Sequence, residues 1–564
     1  MKKLIQKHCL LIILLFSLPA WVNLLRPVYW NMHDDMQLIR QLEFEKCLND
    51  GQIPCRWTPD LGYGYGYPLF NFYPPLPYLV GQFYRFLGFS FINTVKLTAI
   101  TQIILATLAM YYLAKVFFPP LSTILVTLLY TYAPYHAVNI YIRGAMNEAW
   151  ASVFFPLCFL FSYRLIKTPK TNNLIFLALA YAGLLLSHNP MALTFFPFLL
   201  AWIIFWLIIL KKYQKIKIYL NFVYAGLLSL GLTAFFTLPV IFESRLVQVE
   251  TMFRDYFHYS VHFVSLFQLF ISNFWGDGPS VWGTGDQMSF MIGLLHWLIP
   301  LLTLVIIIFL TFTKKLEWKK YRLFFLLLLL ALGATFMTHG RSTFIWQSIH
   351  VIQKMQFPWR FLNQAAFFFS LSSGFFLLLF KNKKKELVSF FTLLVLIILI
   401  NAHHFRFVTA GPITDEQKFS GQAWTNQITS GIYDYLPKTA GRAATAPANF
   451  PIDMVNPPQS QYELNGVKHG TDWFLFNIKL NYQTELTLAQ LAFPNFEIKD
   501  NGRPINYLIE KDLGRMVISL PRGEHQIYVK LRNTPIRHLA NFISLLSWIG
   551  LLAYFSQNLW KKST

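Results

Sequence analysis

Residues 33–78 read HDDMQLIRQLEFEKCLNDGQIPCRWTPDLGYGYGYPLFNFYPPLPY and follow an apolar run from about Cys9 to Leu25. Two adjacent carboxylates, Asp34 and Asp35, therefore stand just beyond a hydrophobic segment, ahead of a short amphipathic pattern and a Gly/Tyr/Pro-rich run. Charge at the edge of hydrocarbon is unfavourable without a partner or a cavity, which makes such residues candidates for function. We read this stretch as the floor of a site outside the membrane.

The whole chain supports a membrane setting. Its 564 residues are 55% hydrophobic, 18% aromatic and only 13% charged, too apolar for an ordinary soluble enzyme. The net charge of +22 would suit nucleic acid, but Lys and Arg gather in short runs between apolar segments. That is the positive-inside pattern, so no nucleic-acid partner is expected.

The first apolar run has no small-residue cleavage site after it, and Pro19, Trp21 and Trp30 suit a retained anchor at the interface. Further spans are expected at about 93–115, 119–136, 148–166, 173–189, 191–210, 219–243, 289–311, 321–338, 361–380, 386–402 and 537–557. The basic turns RLIKTPK, KKYQKIK, KKLEWKKYR, KNKKKE and the tail WKKST belong in the cytoplasm. Residues 26–92 then lie outside, provided that the segment 75–90, Pro-led and broken by Arg85 and Gly88, lies along the outer face. The count comes to about twelve transmembrane helices, with both termini cytoplasmic.

This arrangement puts every polar cluster of note on one side. Outside fall His33-Asp34-Asp35, the loop 60–78, YHAVNIYIRGAMNE (135–148), Ser187-His188-Asn189, the loop 244–288 and 339–360, ending FPWR. An outward-facing site assembled from several loops explains that asymmetry. A lipid or polysaccharide transporter would instead need polar groups along several spans, and 300–312, 321–334 and 386–400 offer almost none. A non-catalytic envelope assembly factor is the other alternative.

Between about His403 and Arg537 the composition becomes that of a soluble domain. FLFNIKLN, FEIKD, MVISL and HQIYVKL alternate as half-buried strands, and Asn501-Gly502 signals a hairpin. The expected organisation is a multi-pass domain over 1–402, an extracytoplasmic β-sandwich over 403–536 that is structural or touches a sugar or partner, and a last helix and tail over 537–564.

Each candidate residue has a plainer alternative. Asp34 caps the helix DMQLIRQLEFEKCL, ended by Asn49-Asp50-Gly51, and Asp35 is solvated; or one of them is a general base toward an attacking hydroxyl. Arg143 and Arg360 have the planar fork that suits phosphate, although Arg143 also has Glu148 at hand for a structural pair and either can snorkel. His188 and His339 read as capping groups before catalysts. His258 and His262 have helical i,i+4 spacing but no supporting metal motif, so no metal is expected. The aromatics of GYGYGYPLFNFYPPLPY either stack on sugars or pack at the interface. Cys47 and Cys55 share a loop: two separate thiols are the default, a pair the alternative if the compartment oxidises.

HDDMQLIRQ, GQIPCRWTPDLGYGYGYPLFNFYPPLPY, YIRGAMNE, SHNP, FPWRFL, FPNFEIKDNGRPI and LPRGEHQIYVKLRNTPIR together resemble the GT-C superfamily of membrane glycosyltransferases. More narrowly, they resemble bacterial membrane proteins called 6-pyruvoyl-tetrahydropterin-synthase-related, near the YfhO-like group. The clustered His zinc triad of the pterin enzyme is absent from the sequence, so that name carries no chemistry here. The resemblance implies a GT-C-like helical fold in the cell membrane and a polyprenyl-phosphate-linked sugar donor taken from the lipid. It further implies transfer at the outer face to a glycan, lipid or protein acceptor, without cofactor. It places the catalytic base at Asp34 or Asp35, with Asp34 preferred. Arg143 and Arg360 are expected as phosphate contacts from their own chemistry and not from the resemblance, with Glu148, His188, Arg56, Trp57 and Tyr73 as further expected substrate or phosphate contacts. Cys55, where a small residue or Pro is expected before Arg-Trp, is a minor departure.

Overall fold

The computed structural model describes residues 2–563, with side chains for 7–558. Nine of the described helices are long and apolar enough to cross a membrane, and three shorter apolar helices, Lys7–Ala20, Pro120–Thr131 and Thr171–Ser187, occupy the remaining expected positions. The chain is therefore a polytopic, mostly helical protein with a β-rich C-terminal region. It divides into two compact units, each drawn from three stretches of sequence.

The first unit comprises Met1–Asp35, Ile92–Ser229 and Phe253–Ile413. Its most enclosed candidate span is Pro358–Leu378, of which 89% is buried. The sequence explains this: Ala365, Ala366, Ser370, Ser372 and Ser373 are small enough for close approach, and Ser372 and Ser373 return their hydroxyls to the Phe369 carbonyl at 2.9 and 2.8 Å. At Gly374 a Cβ would come within 2.7 Å of Val126 and 2.8 Å of Phe118, so a larger residue would push away the Pro120–Thr131 helix. Aromatic packing fills the wider gaps: Phe155 stacks on Phe195 at 4.2 Å, and Phe159 on Trp202 at 4.5 Å.

The first helix, Lys2–Ser17, is shorter than the apolar run; Leu18–Ala20 and Val22–Leu25 continue as 3₁₀ turns around Pro19. Beyond them strand β1 (Tyr29–Trp30) pairs antiparallel with β2 (Ala410–Gly411). Trp30 is not an interfacial anchor. It is buried, donates its indole N–H to the Ile140 carbonyl at 3.0 Å and stacks on Phe407.

The second unit comprises Met36–Phe91, Leu230–Met252 and Thr414–Thr564. The helix Gln37–Asn49 begins after Met36, with no side-chain cap, so the expectation that Asp34 caps it is corrected. The apolar face starts at Leu38 and Ile39, both fully buried, and the helix starts where that face does. It ends at Asp50-Gly51 as expected, Gly51 taking φ +75. Cys47 and Cys55 are joined in a disulfide, with Cα atoms 5.4 Å apart, which corrects the reading of two separate thiols. The segment 75–90 forms the helix Leu76–Phe86, which buries Tyr78 and Gln82 and exposes Leu79, Phe83 and Phe86.

The β region has two antiparallel sheets. Strands β3 (Ile452–Asn456), β6 (Thr484–Leu491), β10 (Arg515–Leu520) and β9 (Leu508–Ile509) form one, in that order. The other runs β4 (Tyr462–His469), β5 (Trp473–Leu480), β11 (Gly523–Leu531), β7 (Phe496–Asp500) and β8 (Arg503–Ile505). Alternate residues point inward, as period two demands: Phe476 and Ile478 from β5, Ile527 and Val529 from β11, Leu486 and Leu488 from β6 and Ile518 from β10 share one core. Asn501-Gly502 makes the two-residue turn between β7 and β8, both residues at positive φ (48 and 80).

That core also takes in the first loop. Trp57, Leu61, Tyr65, Tyr67, Phe70 and Phe72 are buried in the same cluster, so these aromatics pack within the protein instead of lining a membrane interface or a sugar. Hydrogen bonds hold the loop in place: Tyr65 donates its hydroxyl to Asp453 at 2.8 Å, and Gly62 its N–H to the Ile428 carbonyl at 2.9 Å.

Candidate functional site

The first unit brings Arg143, Glu148 and Arg360 together. The local cause is a π-turn over Val138–Ile142, where the Arg143 N–H reaches back five residues to the Val138 carbonyl at 2.9 Å. Such turns displace the side chains that follow them and are frequent at functional positions. Gly144, at φ +63, completes the bend; a Cβ there would collide with the Met32 side chain. The chain entering the first loop is thereby laid against this bend. The His33 N–H bonds the Ile142 carbonyl at 3.1 Å, and the Asp34 N–H bonds the Arg143 carbonyl at 2.9 Å. Asp34 is half-buried, and its charge acts on the Arg143 guanidinium.

Glu148, 1% exposed, is the hub. Its Oε2 accepts from Arg143 Nη1 at 2.8 Å and from Arg360 Nε at 3.1 Å, while Oε1 accepts from the Tyr135 hydroxyl at 2.7 Å and Asn363 Nδ2 at 3.1 Å. These four bonds use the carboxylate's acceptor capacity, so Glu148 is set to hold donors and not to take a proton. Burial works against the charge of Arg143, but Glu148 and Tyr135 facing it hold it above the ordinary arginine range. Arg143 also lies 4.4 Å over the Trp359 ring, and Arg360 Nη1 donates to the Met355 carbonyl at 2.6 Å.

Two buried guanidinium groups share the one hydrogen-bonded carboxylate of Glu148, and the Asp34 charge acts on Arg143 from outside that cluster. Among the described residues no protein group accepts from Nε or Nη2 of Arg143, or from Nη2 of Arg360. Such donors match an oxyanion. Tyr135, Asn139, Trp359 and Asn363 escaped the sequence reading. Tyr135, Asn139 and Arg143 do recur at four-residue intervals, the one signal that pointed to them.

His188 also lies within the electrostatic reach of Glu148, Arg143 and Arg360. Its Nδ1 accepts from the Met191 N–H at 3.2 Å and caps the helix Asn189–Ile209; His339 caps in the same way, accepting from the Arg341 N–H at 3.1 Å. His258 and His262 are not on one helix. Two separate 3₁₀ turns carry the chain there, and their rings face Ser260 in one case and Ser280 with the Tyr256 carbonyl in the other.

Arg56, Trp57 and Tyr73 belong to the second unit. Arg56 donates to Asn71 Oδ1 at 2.7 Å and Asn541 Oδ1 at 2.8 Å; Asn71 and Arg537 in turn bond Glu243, at 2.9 and 2.8 Å. Burial, with Arg537 nearby, pushes Arg56 down to about 9. Trp57 is fully enclosed and meets Phe496 edge-on at 5.1 Å. Tyr73 receives a hydrogen bond from Arg40 at 2.9 Å, with the guanidinium 4.3 Å over its ring.

No protein-family model matches the chain. A protein of Lactococcus lactis subsp. cremoris (strain MG1363), described as uncharacterized, is 27% identical over 204 residues, 34% of this chain and 33% of that protein. The match thus spans about a third of the relative's length.

Proposed function

We propose that the chain is a membrane glycosyltransferase that moves a sugar from a polyprenyl-phosphate-linked donor to a glycan, lipid or protein acceptor outside the cell membrane. The observation that carries this reading is the pair of buried guanidinium groups sharing Glu148, with N–H donors that no protein group accepts, and Asp34 laid against the Arg143 backbone. In this reading the spare N–H donors hold the lipid phosphate and stabilise the charge that grows on it as the glycosidic bond breaks. Asp34, or its neighbour Asp35, takes the proton from the acceptor hydroxyl as its oxygen attacks the anomeric carbon. Glu148 keeps the two cations in place. The Cys47–Cys55 disulfide supports an oxidising compartment for the first loop, hence the outer face and a cytoplasmic N-terminus.

The test is transfer from labelled polyprenyl-phosphate hexoses in membranes holding the protein or its variants. Loss of the base lowers turnover by about 10²–10⁴, so that drop is expected in Asp34→Asn or Asp35→Asn at normal abundance. Arg360→Gln is expected to weaken use of the donor. Wild-type rates in both Asp variants would remove the catalytic role.

A further inference from the structure

The β region holds a cavity remote in sequence from the arginine cluster. It is an open hollow of about 410 Å³ whose lining includes Asn495, Glu497, Ile505, Asn506, Tyr507 and Arg532, a size within the ~300–1,000 Å³ typical of small-molecule sites. Its origin is topological. β8 ends at Ile505 in one sheet and β9 begins at Leu508 in the other, so only Asn506 and Tyr507 carry the chain across. Both residues line the cavity, together with β7.

The walls are held from behind. Asn495 takes φ +75, a conformation that only Gly and, less often, Asn or Asp adopt readily. Its Nδ2 donates to the Asn533 carbonyl at 2.7 Å, and its own carbonyl accepts from the Arg532 N–H at 2.8 Å. Arg532 Nε donates to Glu497 Oε2 at 2.8 Å, and Lys499 faces the other Glu497 oxygen at 3.3 Å. Asn506 is exposed and Tyr507 half-buried.

We propose that this cavity binds a saccharide. Sugar hydroxyls donate and accept at once and come in adjacent pairs. The exposed Asn506 carboxamide and the Glu497–Arg532 pair put both donors and acceptors in the lining. Tyr507, Ile505 and Pro504 offer apolar surface for the C–H face of a pyranose. Glu497 is already neutralised by Arg532 and Lys499, so the lining does not repel a neutral or acidic sugar. The proposal goes beyond the transfer reaction and stands on the cavity alone.

The experiment is binding of neutral tetrasaccharides of glucose, galactose and N-acetylglucosamine to the full-length protein in nanodiscs, followed by saturation-transfer NMR without any donor lipid. At least one probe is expected to bind saturably, tenfold or more weakly in Tyr507→Ala and Asn506→Ala. Binding should be unchanged in Tyr482→Ala, an exposed position of the same region outside the cavity lining. It should also persist in Asp34→Asn, which separates this site from the transfer reaction. No binding by any probe, or equal binding in Tyr507→Ala and Asn506→Ala with normal folding, overturns the proposal.

Discussion

Glu148 accepts four hydrogen bonds and balances two buried cations, so its loss is felt as uncompensated buried charge more than as lost contact. Glu148→Gln keeps the shape but turns a donor toward the arginines; breaking a buried pair in this way costs about 3–5 kcal/mol, read as a lowered unfolding midpoint. Asp34→Asn, at a half-buried position, should leave that midpoint nearly unchanged while lowering transfer by about 10²–10⁴. Asp286 offers a pH test. Burial pushes its carboxyl up to about 6, against hydrogen bonds from the Met288 N–H at 3.1 Å and Gln268 at 3.0 Å. Because the folded value lies above the unfolded one, near 3.9, the protonated form favours the folded loop. The contribution is full below about pH 4 and disappears as pH rises through 6. Hydrogen exchange over residues 265–289, corrected for intrinsic rate, should therefore be faster at pH 7.5 than at pH 5, and Asp286→Asn should flatten the difference.

At the scale of elements, the bend after the π-turn is the piece on which the proposed site depends. Gly144→Ala is expected to cost about 1–2 kcal/mol from its left-handed backbone, and more from the collision with Met32. Thermal unfolding should show part of the loss restored by adding Met32→Ala. Transfer should fall further than stability does, since the Asp34 N–H leans on the Arg143 carbonyl. This bend was not legible beforehand: 135–143 has the apolar density of an ordinary helix, and the extra residue in the turn leaves no mark in composition. The strands were legible where Phe474–Leu480 and His525–Leu531 alternate strictly and bury only one face. The tyrosines of the first loop misled because amphipathic rings suit an interface and a core equally. Which of the two they find depends on a partner sheet that begins at Ile452.

For the molecule as a whole, the apolar segments were readable from hydropathy, since lipid and protein interior both demand them. The Arg143–Glu148 pair was legible locally, but the arrival of Arg360 on the same carboxylate is a pairing across 212 residues that no local pattern records. The thiols give a direct check on the assembled chain. Cys47 and Cys55 are paired, whereas Cys9 and Cys158 are free and buried. A maleimide should label no cysteine in the native protein, two after denaturation and four after reduction as well. Cys47→Ser with Cys55→Ser removes a short covalent loop constraint, worth about 2 kcal/mol, visible as a lower midpoint.

Trp57, Tyr65 and Tyr67 share their core with strands that leave the ribosome some 360 residues after Phe91. At about 5–20 residues per second, the aromatic loop waits roughly 20–70 s for its lid. During that interval the rings that those strands later cover stay open to solvent, so a chain cut short before Ile452 is expected to be degraded, read as a faster decay than that of the full chain in a pulse-chase.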